Sequence, residues 1–168
     1  MISEKMQNAL NNHLNEEFYS SYLYLSMAAY FEAKNLKGFA NWFRIQTQEE
    51  HMHGMKFFDF ILQKGGKVTL SQIAAPKIEW KTIAEVFNDT LAHEQKITSL
   101  INKLVEVSMS EKDYATHTFL QWFVTEQVEE EANVEEIIQK IEMIGDNKSG
   151  LFLLDNELGS RVASPAGK

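Results

Sequence analysis

The sequence predicts an all-α protein, a four-helix bundle with one long crossover and a short fifth helix at the C-terminal end. Three observations lead there. Helix breakers are scarce, with eight Gly and two Pro in 168 residues, and good helix formers abound. Apolar residues recur at heptad-like spacing through four long segments. The links between those segments run short, long, short, so only the middle one can travel the length of a bundle.

Helix one is expected from Ser3, a good N-cap, to about Lys34. The link Asn35 to Lys37 is short, so helix two, about Gly38 to Lys64, should run back antiparallel and stop at Gly65-Gly66. Gly65 to Trp80, with Pro76 inside it, has no helical period and is the crossover. Helix three covers about Lys81 to Ser108. After a turn near Ser110 to Lys112, helix four covers about Asp113 to Ile144 and stops at Gly145-Asp146-Asn147. A short apolar helix follows, about Ser149 to Leu158. One domain therefore spans 1–158, and 159–168 is expected to be a disordered tail.

The apolar rows carry an anomaly. Helix one reads Leu10, Glu17, Tyr24, Phe31. Helix two reads Phe39, Gln46, His53, Phe60 beside Phe43, Glu50, Phe57. Helix three reads Phe87, Glu94, Ile101, and helix four reads Leu120, Gln127, Val134, Ile141 beside Phe123, Glu130, Ile137, Ile144. A carboxylate interrupts each helix near its middle, and mid-helix positions of an antiparallel bundle meet at one depth. Glu17, Glu50, His53, Glu94, Gln127 and Glu130 should converge inside.

A bare buried carboxylate costs several kcal/mol unless protonated, paired or metal-bound. Four together repel one another, and no Lys or Arg shares their rows at that level. Two divalent cations would balance four glutamates. Glu50 and His53 stand i, i+3 on one helix face, and oxygen ligands with one imidazole suit iron, manganese or zinc. Taken singly, each signal has an ordinary reading: an edge glutamate, a hydrogen-bonded core histidine, a solvated Glu129-Glu130-Glu131 face. Met6, Met27 and the Phe rows are core packing. The argument rests on four interruptions coinciding at one level.

The absence of Cys excludes disulfides, iron–sulfur ligation and thiol chemistry. It suits a reducing cytoplasm, as does an N-terminus with no basic-then-apolar signal pattern. No apolar run reaches transmembrane length. A net charge of −8 argues against general nucleic-acid binding.

The segments Asn15-Glu16-Glu17-Phe18-Tyr19-Ser20-Ser21, Gln48-Glu49-Glu50-His51-Met52-His53, His93-Glu94-Gln95 and Glu126-Gln127-Val128-Glu129-Glu130-Glu131 carry a resemblance to the non-haem ferritins of bacteria, from Met1 to about Leu158. The resemblance implies a ferritin-like bundle, iron storage and ferroxidase activity, with O2 or peroxide as oxidant. It implies one iron site from Glu17, Glu50 and His53, and a second from Glu50, Glu94 and Glu130 with Gln127 close by. Tyr24 matches a tyrosine that hydrogen-bonds at this centre and can donate an electron. Glu49, Glu126 and Glu129, with Glu130, match a third iron site; spacing alone reads these three equally well as a solvated face. The resemblance also implies a closed octahedral shell of twenty-four copies, with the fifth helix beside the four-fold axis. The alternative for that helix is to fold back on its own bundle.

Two departures separate the chain from bacterioferritin. Helix four offers Gln127-x-x-Glu130 where bacterioferritin has a second Glu-x-x-His, so the second iron should be held more weakly. His51 stands where bacterioferritin has its haem-ligating Met, with Met52 about 100° around the helix, so no haem is expected. A DNA-protecting mini-ferritin is the runner-up. Its iron site lies between chains and it often has a basic tail, whereas here the ligands come from one chain and the tail holds only Arg161 and Lys168. A rubrerythrin-like peroxidase would need a Cys-rich part. A metal-free helical adaptor with a polar core, or a redox-silent zinc site, are readings from other classes. His13, His93 and His117 are read as surface or packing residues ahead of iron-transit ligands.

Overall fold

The computed structural model describes residues 2–163. Among these, five helices follow one another: α1 (Glu4–Ala33), α2 (Lys37–Gln63), α3 (Ile83–Ser110), α4 (Tyr114–Ile144) and α5 (Lys148–Gly159). Side chains set the starts. Ser3 Oγ accepts from the Met6 amide, Thr82 from Glu85, Asp113 from Thr116, and Asn147 from Ser149 and Gly150. Each satisfies an amide that the helix leaves unpaired. Left-handed residues make the turns: Asn35 (φ 57°) between α1 and α2, Gly65 (φ 71°) at the end of α2, Lys112 (φ 55°) between α3 and α4, and Gly145 (φ 53°) after α4. The described residues end at Ala163, so the expected tail beyond it, 164–168, lies outside them.

Helices α1 and α2 form one antiparallel pair and α3 and α4 the other, with α1 packed also on α3. The crossover runs up α1. Asn11 donates to the Lys67 carbonyl (3.0 Å) and accepts from the Thr69 amide (2.7 Å), and Ser26 Oγ donates to the Lys77 carbonyl at 2.7 Å. Trp80 then buries beside Tyr30, its indole N–H on Asp89 at 2.8 Å. So α3 starts at the end where α1 finished, and α2 and α3 run parallel.

The core is two clusters, one at each end of the bundle. One holds Phe31, Phe39, Phe43, Phe87 and Trp42, with Leu154 and Leu158 of α5 closing it. The other holds Met6, Leu10, Leu14, Phe57, Ile61, Ile97, Ile101, Leu104, Leu120 and Phe123. A polar belt lies between them.

Helix α5 folds back onto α2 and α4 of its own chain. Asp155 Oδ1 accepts from the amides of Gly38 (2.9 Å) and Phe39 (3.1 Å), capping the start of α2, where Leu36 supplies no side-chain cap. This approach requires glycine: a Cβ on Gly38 would lie 1.5 Å from the Asp155 carbonyl oxygen. Phe152 and Leu153 remain exposed on the outer side of α5.

Gly38→Ala is expected to push α5 off α2 and lower the unfolding free energy by about 2–3 kcal/mol, the usual range for overpacking. Asp155→Ala should cost about 1 kcal/mol, the ordinary cost of a lost cap. Denaturant titration of both variants measures this, and an unchanged midpoint for Gly38→Ala would contradict the tight approach.

Candidate metal centre

All four long helices deliver a carboxylate to the polar belt. Glu17 on α1 is 1 % exposed, Glu50 on α2 2 %, Glu94 on α3 1 % and Glu130 on α4 4 %. His53, one turn beyond Glu50, is buried with them. Gln46, Thr90, His93 and Gln127 complete the belt. None of its glutamates is paired with Lys or Arg at this depth among the described residues.

Glu17, Glu50 and His53 bring ligand atoms all within 4.8 Å of one another, the one such buried grouping among the described residues. His53 Nδ1 lies 3.5 Å from Glu50 Oε2, and its Nε2 3.9 Å from Glu126 Oε1. Glu17 Oε1 accepts from His13 Nε2 at 2.7 Å. Glu17 Oε2, Glu50 Oε1 and Gln46 Oε1 are buried without any hydrogen-bond partner. Buried acceptors normally find a donor; acceptors left bare around one space fit a cation.

Glu94 and Glu130 stand across from Glu50, each held by neutral donors. Tyr24 O–H donates to Glu94 Oε1, and Gln127 Nε2 donates to Glu94 Oε2 at 3.0 Å and to its carbonyl at 3.2 Å. Gln46 Nε2 donates to Glu130 Oε2 at 2.9 Å. Amides and a phenol orient a carboxylate without neutralising it, which leaves its charge for another partner.

Burial and mutual repulsion shape the proton affinities. Burial, then the charges of Glu94, Glu17 and Glu130, push the Glu50 carboxyl well up. Burial raises Glu94 to about 7 against the hydrogen bonds from Tyr24 and Gln127. Burial and Glu94 raise Glu130 to about 8. Burial also pushes Glu17 up, but the charge and hydrogen bond of His13, with the His53 charge and a hydrogen bond from Glu50, together outweigh it and leave Glu17 below its ordinary value. Burial lowers His53, keeping its imidazole neutral and able to ligate. Metal-free, the belt therefore holds protons that a cation would displace.

Comparison with known proteins matches the arrangement to a family. A ferritin-like domain model covers residues 7–144. A bacterial non-heme ferritin of Staphylococcus aureus is 41 % identical over 162 residues, 96 % of this chain and 98 % of that one. One from Bacteroides fragilis is 44 % identical over 161 residues, 96 % of this chain and all of that one. The chain belongs to the ferritin family. Solved ferritins of Archaeoglobus fulgidus share its fold. An engineered closed form is 50 % identical with a TM-score of 0.96, covering 98 % of this chain and all of that one. An open-pore form is 51 % identical with a TM-score of 0.96, covering 96 % and all.

Within this ferritin the six belt residues read from the sequence, Glu17, Glu50, His53, Glu94, Gln127 and Glu130, do meet at one level, and Tyr24 meets them through Glu94. The outer glutamates divide. Glu126 is half-buried beside His53, and Glu129 is exposed. Glu49 is buried and already paired, its Oε2 accepting from Arg161 Nη2 at 2.7 Å. Three residues that touch these glutamates are not assigned to them by the sequence. Gln46 shares the row of Phe39, His53 and Phe60, and a polar residue one heptad before His53 is the available signal. His13 stands one turn before Glu17, the ordinary spacing for a pair on one helix face. Arg161 had no sequence signal, because its partner is 112 positions away.

Stability should report these proton affinities. Between about pH 6.5 and 8 the belt carboxyls Glu94 and Glu130 (about 7 and about 8) hold protons in the folded state that the unfolded chain has lost. Folding stability of the metal-free protein therefore falls as pH rises through this interval. His53 and His93, both lowered by burial, act in the opposite sense only below their ordinary value of 6.5. Melting temperatures of chelator-treated protein should drop from pH 6.5 to 8, and Glu130→Gln should flatten the decline. A rising curve would contradict the protonated belt.

Proposed function

We propose that this ferritin-family chain is an iron-storing ferroxidase, with Fe(II) as substrate and the buried carboxylate belt as the site of oxidation. The observation that supports it most is the set of four glutamates, one from each long helix, beside His53 and around bare buried oxygens. The names of the bacterial relatives agree with this reading.

In this reading Glu17, Glu50 and His53 take one Fe(II), and Glu50, Glu94 and Glu130 take a second. Glu50 lies between the two and gives an oxygen to each. His13 holds Glu17 by one oxygen and leaves the other for the ion. Gln46 does the same for Glu130, whereas Glu94 has both oxygens hydrogen-bonded, one to Tyr24 and one to Gln127, and offers the ion a remaining lone pair. The second site lacks an imidazole, so its ion is held more weakly. Loading releases the protons of Glu50, Glu94 and Glu130.

Each Fe(II) loses one electron. A pair of irons passes two electrons to O2, which takes two protons and leaves as hydrogen peroxide; peroxide can serve as oxidant in turn, accepting two electrons and two protons to give water. Oxidation adds two positive charges that the belt cannot match. Hydroxide or oxide from deprotonated water balances them, because a bound metal lowers the pKa of water. The resulting ferric product no longer fits the charge of the belt and moves on to storage. Tyr24, buried against Glu94, keeps its proton by burial and by the nearby carboxylates. It is placed to give up an electron while its proton passes to Glu94.

Storage needs a container, and the reading includes a closed octahedral shell of twenty-four copies in the cytoplasm, with no haem. Phe152 and Leu153 on α5 are neighbours in sequence and both exposed, and are among the apolar side chains that such a shell would cover. No described helix is long and apolar enough to cross a membrane. Glu49, Glu126 and Glu129 belong to the reading as an outer iron position through which product leaves.

Glu50→Ala should slow Fe(II) oxidation by at least about a hundredfold, since losing even an outer hydrogen-bond partner of a metal ligand costs about 10–100-fold. The variant should still assemble. Stopped-flow absorbance of Fe(III) after mixing anaerobic Fe(II)-protein with air, with size-exclusion chromatography alongside, tests this. Fast oxidation retained in both Glu50→Ala and Glu130→Ala would overturn the site. Tyr24→Phe should keep Fe(II) affinity and lose part of the rate.

A further inference from the structure

The chain that follows α5 runs back along α2. Asn41 Nδ2 donates to the carbonyls of Leu158 (3.3 Å) and Arg161 (3.1 Å). The Arg161 amide closes a turn on the Leu158 carbonyl at 3.3 Å. The Arg161 side chain then lies along the helix. Its guanidinium carbon sits 4.9 Å from the centre of the Trp42 ring, and Nη2 donates to Glu49 Oε2 at 2.7 Å. Trp42 and Glu49 are two turns apart on one face of α2, so the side chain spans the interval. Both ends of the pair are well covered, at 23 % exposure for the Arg161 side chain and 10 % for that of Glu49. The charge of Glu49 reaches both Glu126 and Glu130 and raises their proton affinity, and Arg161 acts on Glu130 in the opposite sense.

We propose that Arg161 is a displaceable counter-cation for Glu49, a positioning residue that governs when a metal ion can occupy the outer carboxylates. This rests on the ferroxidase reading above and adds a residue to it. With the guanidinium in place Glu49 is neutralised, and an arriving ion must displace the arm before it can use that oxygen. Stacking on Trp42 gives the arm a defined docked position. Guanidinium, unlike ammonium, suits both the flat ring and the carboxylate. Removing it leaves a covered glutamate beside Glu126 and Glu130 with no cation, and an uncompensated charge in such a place is costly. The simplest replacement is a metal ion.

The test is anaerobic calorimetric titration of the assembled protein with Fe(II), a measurement of binding and not of turnover, on wild type, Arg161→Gln, Arg161→Lys and Glu50→Ala. In wild type the outer ion should bind more weakly than the inner pair. In Arg161→Gln it should bind about tenfold more tightly, the equivalent of one charge-assisted hydrogen bond no longer broken, with the inner pair unchanged. Arg161→Lys, which keeps the charge but loses the fit to the Trp42 ring, should fall between wild type and Arg161→Gln. Melting temperatures confirm that each variant is folded. Equal outer-ion affinity in wild type and Arg161→Gln would overturn the proposal, as would a gain in Arg161→Lys equal to that in Arg161→Gln, which would assign the effect to a loosened arm and not to charge. Glu50→Ala separates the two readings. It should lose the inner pair whatever Arg161 does, and if it keeps that pair, the reading of the belt itself fails.

Discussion

Everything in this molecule is arranged around like charges held out of water. Glu17, Glu50, Glu94 and Glu130 sit in one belt, none of them paired with Lys or Arg among the described residues, where carboxylates must keep protons or find cations. The bundle tolerates this because it is apolar above and below. The Phe31–Phe43–Phe87 cluster and the Met6–Leu10–Phe57 cluster each bury large side chains completely, at about 1.5–3 kcal/mol for a typical one. The ends stabilise the fold, and the middle is left with an unsatisfied electrostatic demand. Such a division suits a site whose cargo comes and goes, because neither cluster depends on the belt being filled.

The neighbours of the carboxylates matter as much as the carboxylates. Tyr24, Gln46, Gln127 and His13 each take one oxygen of a glutamate. They fix direction without cancelling charge, apart from His13, which is the chief of the neighbours that together reverse the push of burial on Glu17. The two halves of the centre therefore differ before any ion arrives. The Glu17–His53 half gathers ligand atoms closely, and the Glu94–Glu130 half retains protons near neutrality.

Much of this could be read from the chain alone, for a definite reason. Period carries local information, and the belt is periodic: Glu17 falls one heptad after Leu10 and one before Tyr24. The helix ends agreed with the structure to within about two residues, because Ser3, Asp113 and Gly145 act through the backbone next to them. What period does not carry is the partner of a residue far off in sequence. Periodicity alone does not say what the fifth helix packs on; within the chain it docks on α2 and α4, with Phe152 and Leu153 still bare. The contacts that hold it there, Asp155 to Gly38 and Arg161 to Glu49, join positions more than a hundred apart. Of the outer glutamates, identical in composition, one is tied and one is exposed, a difference that spacing cannot contain.

The Asp155 cap bears on how the chain is made. Synthesis releases a polypeptide from its N-terminal end, so α1 and α2 emerge long before the carboxylate that satisfies the first amides of α2. A nascent or prematurely ended chain would carry an open helix terminus beside the unclosed Phe31–Phe39 cluster. Completing the final helix seals both at once.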